Sequence, residues 1–215
     1  MSLPLPVRNP ALFNEVAQWL CQIPHSRILQ IEFIQAERGR ATMRLPYQER
    51  LIGDSRTGVL HGGVITTLID NTSALSIFSL LEEACGYPTL DLRIDYLRPA
   101  TLHGRVLPHG PRNCVHARHR LPGRQPATSR LWCGHFHAAP KLQRRSRCNR
   151  RSGMNSLTVD NLLDYSPYAR QIGMQLTEVD GELRFSLPFH PDNIGNDQLP
   201  ALHGGVLAGF GETAM

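Results

Sequence analysis

The 215-residue sequence predicts an α+β fold in which an antiparallel sheet wraps around a central helix, in two incomplete copies joined by an irregular basic segment. Three observations carry that expectation. A glycine turn, "GVLHGGVITTLIDNTSAL" at residues 58–75, leads into a helix-length stretch that is apolar on nearly every side, as an element wrapped by other structure should be. The segments around it alternate apolar and polar residues with the period of strands that bury one face. The turn then returns as "PALHGGVLAGFGETAM", residues 200–215, at an offset of 142 that gives 10 identities in the 36 positions from Arg38 to Ser73.

Taken in order, "NPALFNEVAQWLCQI" sets Leu12, Val16, Trp19, Leu20 and Ile23 at helical spacing and ends at Pro24, which predicts an amphipathic helix. "ILQIEFIQAE" reads as a strand. After a turn at Gly39, "GRATMRLP" points Ala41, Met43 and Leu45 inward, so the two segments form a hairpin. From Val59 to about Leu81 the positions Val64, Ile65, Leu68, Ile69, Leu75, Ile77, Phe78, Leu80 and Leu81 surround a buried helix. "TLDLRIDYLRP" is a strand with Leu90, Leu92, Ile94 and Tyr96 on one face and Asp91, Arg93 and Asp95 on the other. In the second copy "YSPYARQIGMQLTEVDGELRFSLPF" supplies a helix end and strands, with Leu183, Phe185, Leu187 and Phe189 alternating. Met215 follows about one helical turn after Glu212, which leaves no room for the strands that should come next.

Between the copies the text changes. Of the 23 Lys and Arg, eleven fall in residues 108–153, which hold no Asp or Glu; the remaining 12 face 18 acidic residues, so the rest of the chain is mildly acidic. Without periodicity this stretch predicts no packed face, and two readings stay open. It is a disordered basic linker, or a G/C-rich coding region read out of frame ahead of Met154, where ordinary sequence resumes. The expected organisation is a first unit at 1–102 that lacks its last strands, the basic segment at 103–153, and a truncated second unit at 154–215. Five cysteines and no export signal predict reduced thiols and a cytoplasmic protein, and no run of about 18 apolar residues predicts a membrane span. "CVHARH" and "CGHFH" (Cys114, His116, His119; Cys133, His135, His137) contain zinc-type ligands, but their spacing matches no standard finger, so no metal is expected.

"GVLHGGVITTLIDNTSAL" followed by "TLDLRIDYLRPA" resembles the hotdog-fold acyl-CoA thioesterases, specifically the phenylacetate-pathway type within the 4-hydroxybenzoyl-CoA thioesterase superfamily. The likeness covers about residues 28–101 and again 167–215. It implies hydrolysis of an acyl-CoA thioester, no metal or other cofactor, and active sites shared between subunits of a homodimer or homotetramer. It further implies that Gly62 polarises the thioester carbonyl, that Asp70 is the base or nucleophile, that Thr89 helps to position water, and that His61 shapes the turn. Gly204 and Glu212 match Gly62 and Asp70 in the second copy. Gly63, His203 and Gly205 complete the two turns around the substrate, and the loop before each turn places Asp54 and Asn196 where the family often has an asparagine.

The physics of the motif points the same way. Glycines at a helix start allow close approach to the backbone, and the free N–H groups there, with the helix dipole, favour an oxygen that is gaining negative charge. A carboxylate at Asp70 activates water or attacks the carbonyl itself. It cannot meet its own Gly62, because eight residues at about 1.5 Å rise separate them by roughly 12 Å. One carbonyl is served by both groups only where a second, antiparallel helix brings its carboxylate alongside. Two other classes remain in view: an inactive hotdog module that binds acyl-CoA without turnover, and a nucleic-acid binder built on the arginine run "RRSRCNRR", which lacks any aromatic stacking platform.

Overall fold

The structure, a computed structural model, describes residues 5–86, 89–94, 100, 114–119, 127–132 and 159–215. Helix α1 spans Pro10–Gln22, and Asn9 caps it by accepting the Leu12 N–H. Its buried face is Phe13, Ala17 and Leu20, with Val16 and Trp19 at the margin. This lies about one position round the helix from the expected stripe, because Phe13 packs edge-on against Phe33. A short helix α2, Pro24–Leu29, follows and ends at Gln30 in the left-handed region (φ 57°). Ile28 and Leu29 therefore belong to a helix, and the strand expected from Ile28 starts later, as β1 at Glu32–Glu37. It pairs antiparallel with β2, Arg40–Arg44, through the Gly39 turn, and Met43 and Leu45 are buried as anticipated.

Strands β3 (Ile52–Asp54) and β4 (Val59–Leu60) form a tight hairpin that delivers the chain to helix α3, Gly62–Phe78. This helix is the centre of the molecule. Val64, Leu68, Ile69, Leu75 and Ile77 are buried around its circumference, and α1, β2 and other elements pack on it. A helix buried on all sides has to satisfy its polar side chains internally. It does so by back-bonding: the hydroxyls of Thr66, Thr67, Thr72, Ser73 and Ser76 donate to the carbonyls of Gly62, Gly63, Leu68, Ile69 and Thr72, four residues earlier in each case.

Strand β5, Thr89–Arg93, is the edge of a three-stranded antiparallel sheet completed by β6 (Cys114–His119) and β7 (Ala127–Trp132). Both of these strands fall in the segment expected to be irregular, and they correct that expectation at 114–119 and 127–132. The reason is backbone pairing, which needs no clean alternation: β6 holds its register with β7 over six consecutive pairs, and the intervening "LPGRQP" carries turn residues. The rest of 103–153, with Cys133, His135 and His137, lies outside the described residues, as does Tyr96. Leu90 is exposed, whereas Leu92 and Ile94 reach the core.

The second half repeats these elements in order: α4 (Pro167–Gln171), β8 (Gln175–Val179), β9 (Glu182–Ser186), β10 (Ile194–Asn196), β11 (Ala201–Leu202) and α5 (Gly204–Ala214). Residues 142 apart hold corresponding registers: Ile52 faces Leu60 and Asp54 faces Val59, while Ile194 faces Leu202 and Asn196 faces Ala201. Upstream of Gln35 the offset becomes 143. The difference is one residue, Ile34, bulged out of β1 between Phe33 and Gln35 and half exposed, with no counterpart in β8.

One core joins both halves, running from Phe13, Leu29 and Val64 to Tyr168, Ile172 and Val206. Its tightest seam is the crossing of α3 and α5. A Cβ on Gly63 would stand 2.6 Å from Gly209 Cα and 2.7 Å from the Gly205 carbonyl, and one on Gly205 would collide with the Thr67 hydroxyl. The start of each helix meets the later part of the other, so the two run antiparallel. Because backbone cannot yield as a flexible side chain can, Gly63→Ala is expected to destabilise the protein by about 1–3 kcal/mol. Gly211→Ala, in the same pair of helices but, among the described residues, with nothing within 4 Å of its Cβ position, is expected to stabilise it by about 0.5–1 kcal/mol. Urea unfolding of the two variants checks this, and equal effects would discount the seam.

Candidate active site

Each central helix is capped by a histidine rather than by a hydroxyl or carboxamide residue. His61 Nδ1 accepts the Gly63 N–H at 3.1 Å, and His203 Nδ1 accepts the Gly205 N–H at 3.0 Å. This fixes both tautomers, since a ring nitrogen that accepts is unprotonated and the proton lies on Nε2. His61 Nε2 then donates to Thr213 Oγ1 at 3.0 Å, and His203 Nε2 donates to Asn71 Oδ1 at 3.2 Å. Thr213 and Asn71 are themselves 142 apart and each lies on the other helix, so the two caps are tied reciprocally across the seam. The hairpins support the caps closely: a Cβ on Gly53 would reach His61 Cα at 3.0 Å, and one on Gly195 would reach His203 Cα at 2.6 Å.

At the start of α3 the expected juxtaposition is present within the chain. A Cβ on Gly62 would run into the Glu212 carboxylate of α5, whose Cδ and Oε1 stand 2.8 and 2.9 Å from that point. Glu212 Oε2 also lies 3.5 Å from His61 Nδ1. Because that nitrogen carries a lone pair, the contact is not an ion pair, and burial lowers the His61 pKa against the raising effect of Glu212. At the start of α5 the surroundings differ. Gly204 is exposed and, among the described residues, nothing lies within 4 Å of its Cβ position, while Asp70, next to the Asn71 that His203 holds, accepts the Thr89 hydroxyl at 2.8 Å.

The other expected site residues have different surroundings. Gly63 and Gly205 give their N–H groups to the caps and their Cα positions to the helix crossing. Asp54 accepts from the Arg56 N–H and guanidinium within its own turn, and that contact lowers its carboxyl pKa, so its charge is matched locally. Asn196 makes the equivalent turn by accepting the Gln198 N–H. Sequence reasoning missed His25 and Tyr168. They occupy corresponding places 143 apart, in "PHSR" and "PYAR", and meet each other across the seam. The Tyr168 hydroxyl donates to His25 Nε2 at 3.1 Å, and His25 Nδ1 donates to the Asp192 carbonyl at 3.3 Å. Tyr168 packs on His61 and His25 on His203, with ring centroids 4.9 and 5.4 Å apart. The shared proline and arginine were a usable signal, masked by the change of offset at Ile34.

Burial, reinforced by the neighbouring His203, lowers the His25 pKa to about 3, and burial lowers that of His203 to about 4. In the unfolded chain both titrate near 6.5. Between pH 6.5 and 4 the unfolded state thus binds more protons, so stability is full above about pH 6.5 and falls as the pH drops, by up to about 1.4 kcal/mol per pH unit for each histidine. His25→Gln is expected to flatten this dependence by one histidine's share. Urea midpoints from pH 7.5 to 4.5 check it, and an unchanged slope would remove His25 from the account.

Comparison with known proteins agrees with this architecture. A family model described as the thioesterase superfamily matches residues 57–110. The chain is 30% identical over 121 residues to a protein of Saccharolobus solfataricus whose name proposes an esterase, an alignment covering 51% of this chain and 77% of that one. A second protein of that organism, named in the same way, is 36% identical over 89 residues, 39% of this chain and 61% of its own length. The medium/long-chain acyl-CoA thioesterase YigI of Salmonella typhimurium is 30% identical over 90 residues, 36% of this chain and 58% of YigI. The chain thus spans about three fifths of the length of these last two relatives. Among the described residues no helix is long and apolar enough to cross a membrane, and no group of three His, Cys, Asp or Glu is placed to hold a metal. By the model match and the relative it covers over three quarters of that protein's length, the chain belongs to the thioesterase superfamily.

Proposed function

We propose that this protein hydrolyses an acyl-CoA thioester to the free acid and coenzyme A, as a hotdog thioesterase of the phenylacetate-pathway type. Two incomplete hotdog copies at 1–102 and 154–215 would supply, within one chain, the helix pair that such a site requires. The observation that carries this reading is the apposition of a helix N-terminus on α3 with a carboxylate of α5, Gly62 against Glu212. The relation between Gly204 and Asp70 is its counterpart at the other end of the crossing. Assembly of such chains into a homodimer or homotetramer, and a cytoplasmic site of action, belong to the same proposal.

The chemistry follows from the parts. The thioester carbonyl oxygen takes the N–H groups at a helix start, where the dipole favours the charge that develops as the carbonyl carbon becomes tetrahedral. Asp70 removes a proton from the attacking water, or attacks the carbon itself to give an anhydride that water then opens. In the first case the C–S bond breaks and the proton taken from water passes to the coenzyme A sulfur; in the second the sulfur leaves as thiolate when the anhydride forms, and the water that opens the anhydride supplies the proton that makes it a thiol. The Thr89 hydroxyl, donating to Asp70 at 2.8 Å, holds one carboxylate oxygen and leaves the other directed by that bond. The name of YigI supports an acyl-CoA as substrate class.

Asp70→Asn is expected to lower kcat/KM by roughly 10²–10⁴-fold, the usual worth of a positioned base. Thr89→Val, which loses one neutral hydrogen bond, is expected to lower it by roughly tenfold. Release of the coenzyme A thiol from acetyl-, hexanoyl-, palmitoyl- and phenylacetyl-CoA measures both. Tight binding of these thioesters with no thiol release in the wild type would replace hydrolysis by a binding role.

A further inference from the structure

We propose that the unlike pair His25 and Tyr168 makes the two halves of the chain close on each other, and keeps either half from closing on the same half of a second copy. The inference concerns how the halves recognise one another and does not depend on the thioesterase reading.

The seam has the makings of a two-fold interface between copies. Its contacts are reciprocal: His61 bonds to Thr213 and His203 to Asn71, and Thr213 and Asn71 hold the same place on α5 and α3. Two first halves laid together in this way would set each His61 against the other's Asn71, a residue that already accepts from a histidine cap. Two second halves would set each His203 against the other's Thr213, which does the same. The helix crossing is equally permissive. Gly63 now meets Gly209 and Gly205 meets Thr67; in pairings of like halves Gly63 would meet Thr67 and Gly205 would meet Gly209. Neither the caps nor the glycines therefore choose between closing within the chain and closing on a copy, and exchange of such a half between copies is a ready route to dimers.

The pair that makes the choice consists of one long ring and one short one. His25 and Tyr168 occupy corresponding places, are 1% and 0% exposed, and meet through the Tyr168 hydroxyl and His25 Nε2 at 3.1 Å. In a pairing of like halves each would face itself. Two second halves would force two phenols into the length that one phenol and one imidazole now fill, which overpacks the core. Two first halves would set two imidazoles across a gap, leaving a cavity and ring nitrogens without the hydroxyl that now donates to one of them. The long ring also has its room on one helix. A Cβ on Gly209 would come within 2.9 Å of Tyr168 Cε1, and α3 carries Thr67 at the corresponding position. Only the unlike pairing fills the space and satisfies the bond.

Refolding of the full chain from urea at low and at high chain concentration tests this, with the mass of the native species then read by sedimentation at one common concentration. The wild type is expected to give the same mass from both. Tyr168→His makes all pairings alike at this position, so refolding at high concentration is expected to yield a species of twice the wild-type mass that refolding at low concentration does not. Tyr168→Phe keeps the ring but removes the hydroxyl that would collide, and is expected to give the doubled species to a smaller extent. His25→Ala breaks the same hydrogen bond yet leaves the two phenols to collide, so it is expected to lower the urea midpoint while keeping the wild-type mass throughout. A doubled species from the wild type, or from His25→Ala as readily as from Tyr168→His, would overturn the proposal, since any loosening of the seam would then suffice. Wild-type mass from both Tyr168 variants at both concentrations would overturn it too. So would failure of both to refold, which would make the tyrosine a requirement of the core and not of the choice of partner.

Discussion

The antiparallel crossing of α3 and α5 is the constraint on which the rest of the molecule depends. It requires backbone to touch backbone, and only glycines at 63, 205 and 209 leave room for that. The close approach brings each histidine cap within reach of a polar side chain on the opposite helix, Thr213 for His61 and Asn71 for His203. The same glycine turn therefore serves three ends. It starts the helix, it lets the helices meet, and it gives the Gly63 and Gly205 N–H groups to the histidine caps.

Around the crossing lies a buried polar cluster. The rings of His61, Tyr168, His25 and His203 follow one another across the seam, and the Tyr168 hydroxyl donates to His25 Nε2 within it. Asn71 both accepts from His203 and donates to Ser26 at 2.7 Å, which extends the cluster into α2. Such a network is costly to bury and costly to disturb, because removing one member strands another in a low-dielectric setting. It also sets register. A slip of either helix by one turn would separate both caps from their partners at once.

The two halves are less alike in what covers them. Ile65 of α3 is 9% exposed, while Leu207 at the corresponding place on α5 is 52% exposed. Met43 and Leu45 are buried, whereas their counterparts Phe185 and Leu187 are only partly so. In the first half the Leu60 N–H donates to the Ala100 carbonyl, and the strands β6 and β7 lie against α3. The described residues of the second half contain no matching strands.

Local features were the legible ones. The inward turn of Met43 and Leu45, the glycine at the Gly39 turn, the all-round burial of α3 and the need for an antiparallel partner helix each follow from periodicity, backbone freedom or helix rise, which act over a few residues. The strands at 114–119 and 127–132 were not legible, because sheet pairing is made by backbone groups that every residue has and their side chains lack a clean alternation. The start of β1 was misplaced because the left-handed Gln30 ends α2 by a geometry that glutamine does not advertise. His25 and Tyr168 were missed because a single bulged residue shifted their correspondence. By itself the sequence determined that two HGG turns, each followed by a carboxylate nine residues from the histidine, lead into helices. Only the tertiary structure decided that Glu212 lies over Gly62 while Asp70 is held by Thr89, since that outcome depends on one methylene and one hydroxyl placed by residues far apart in the chain.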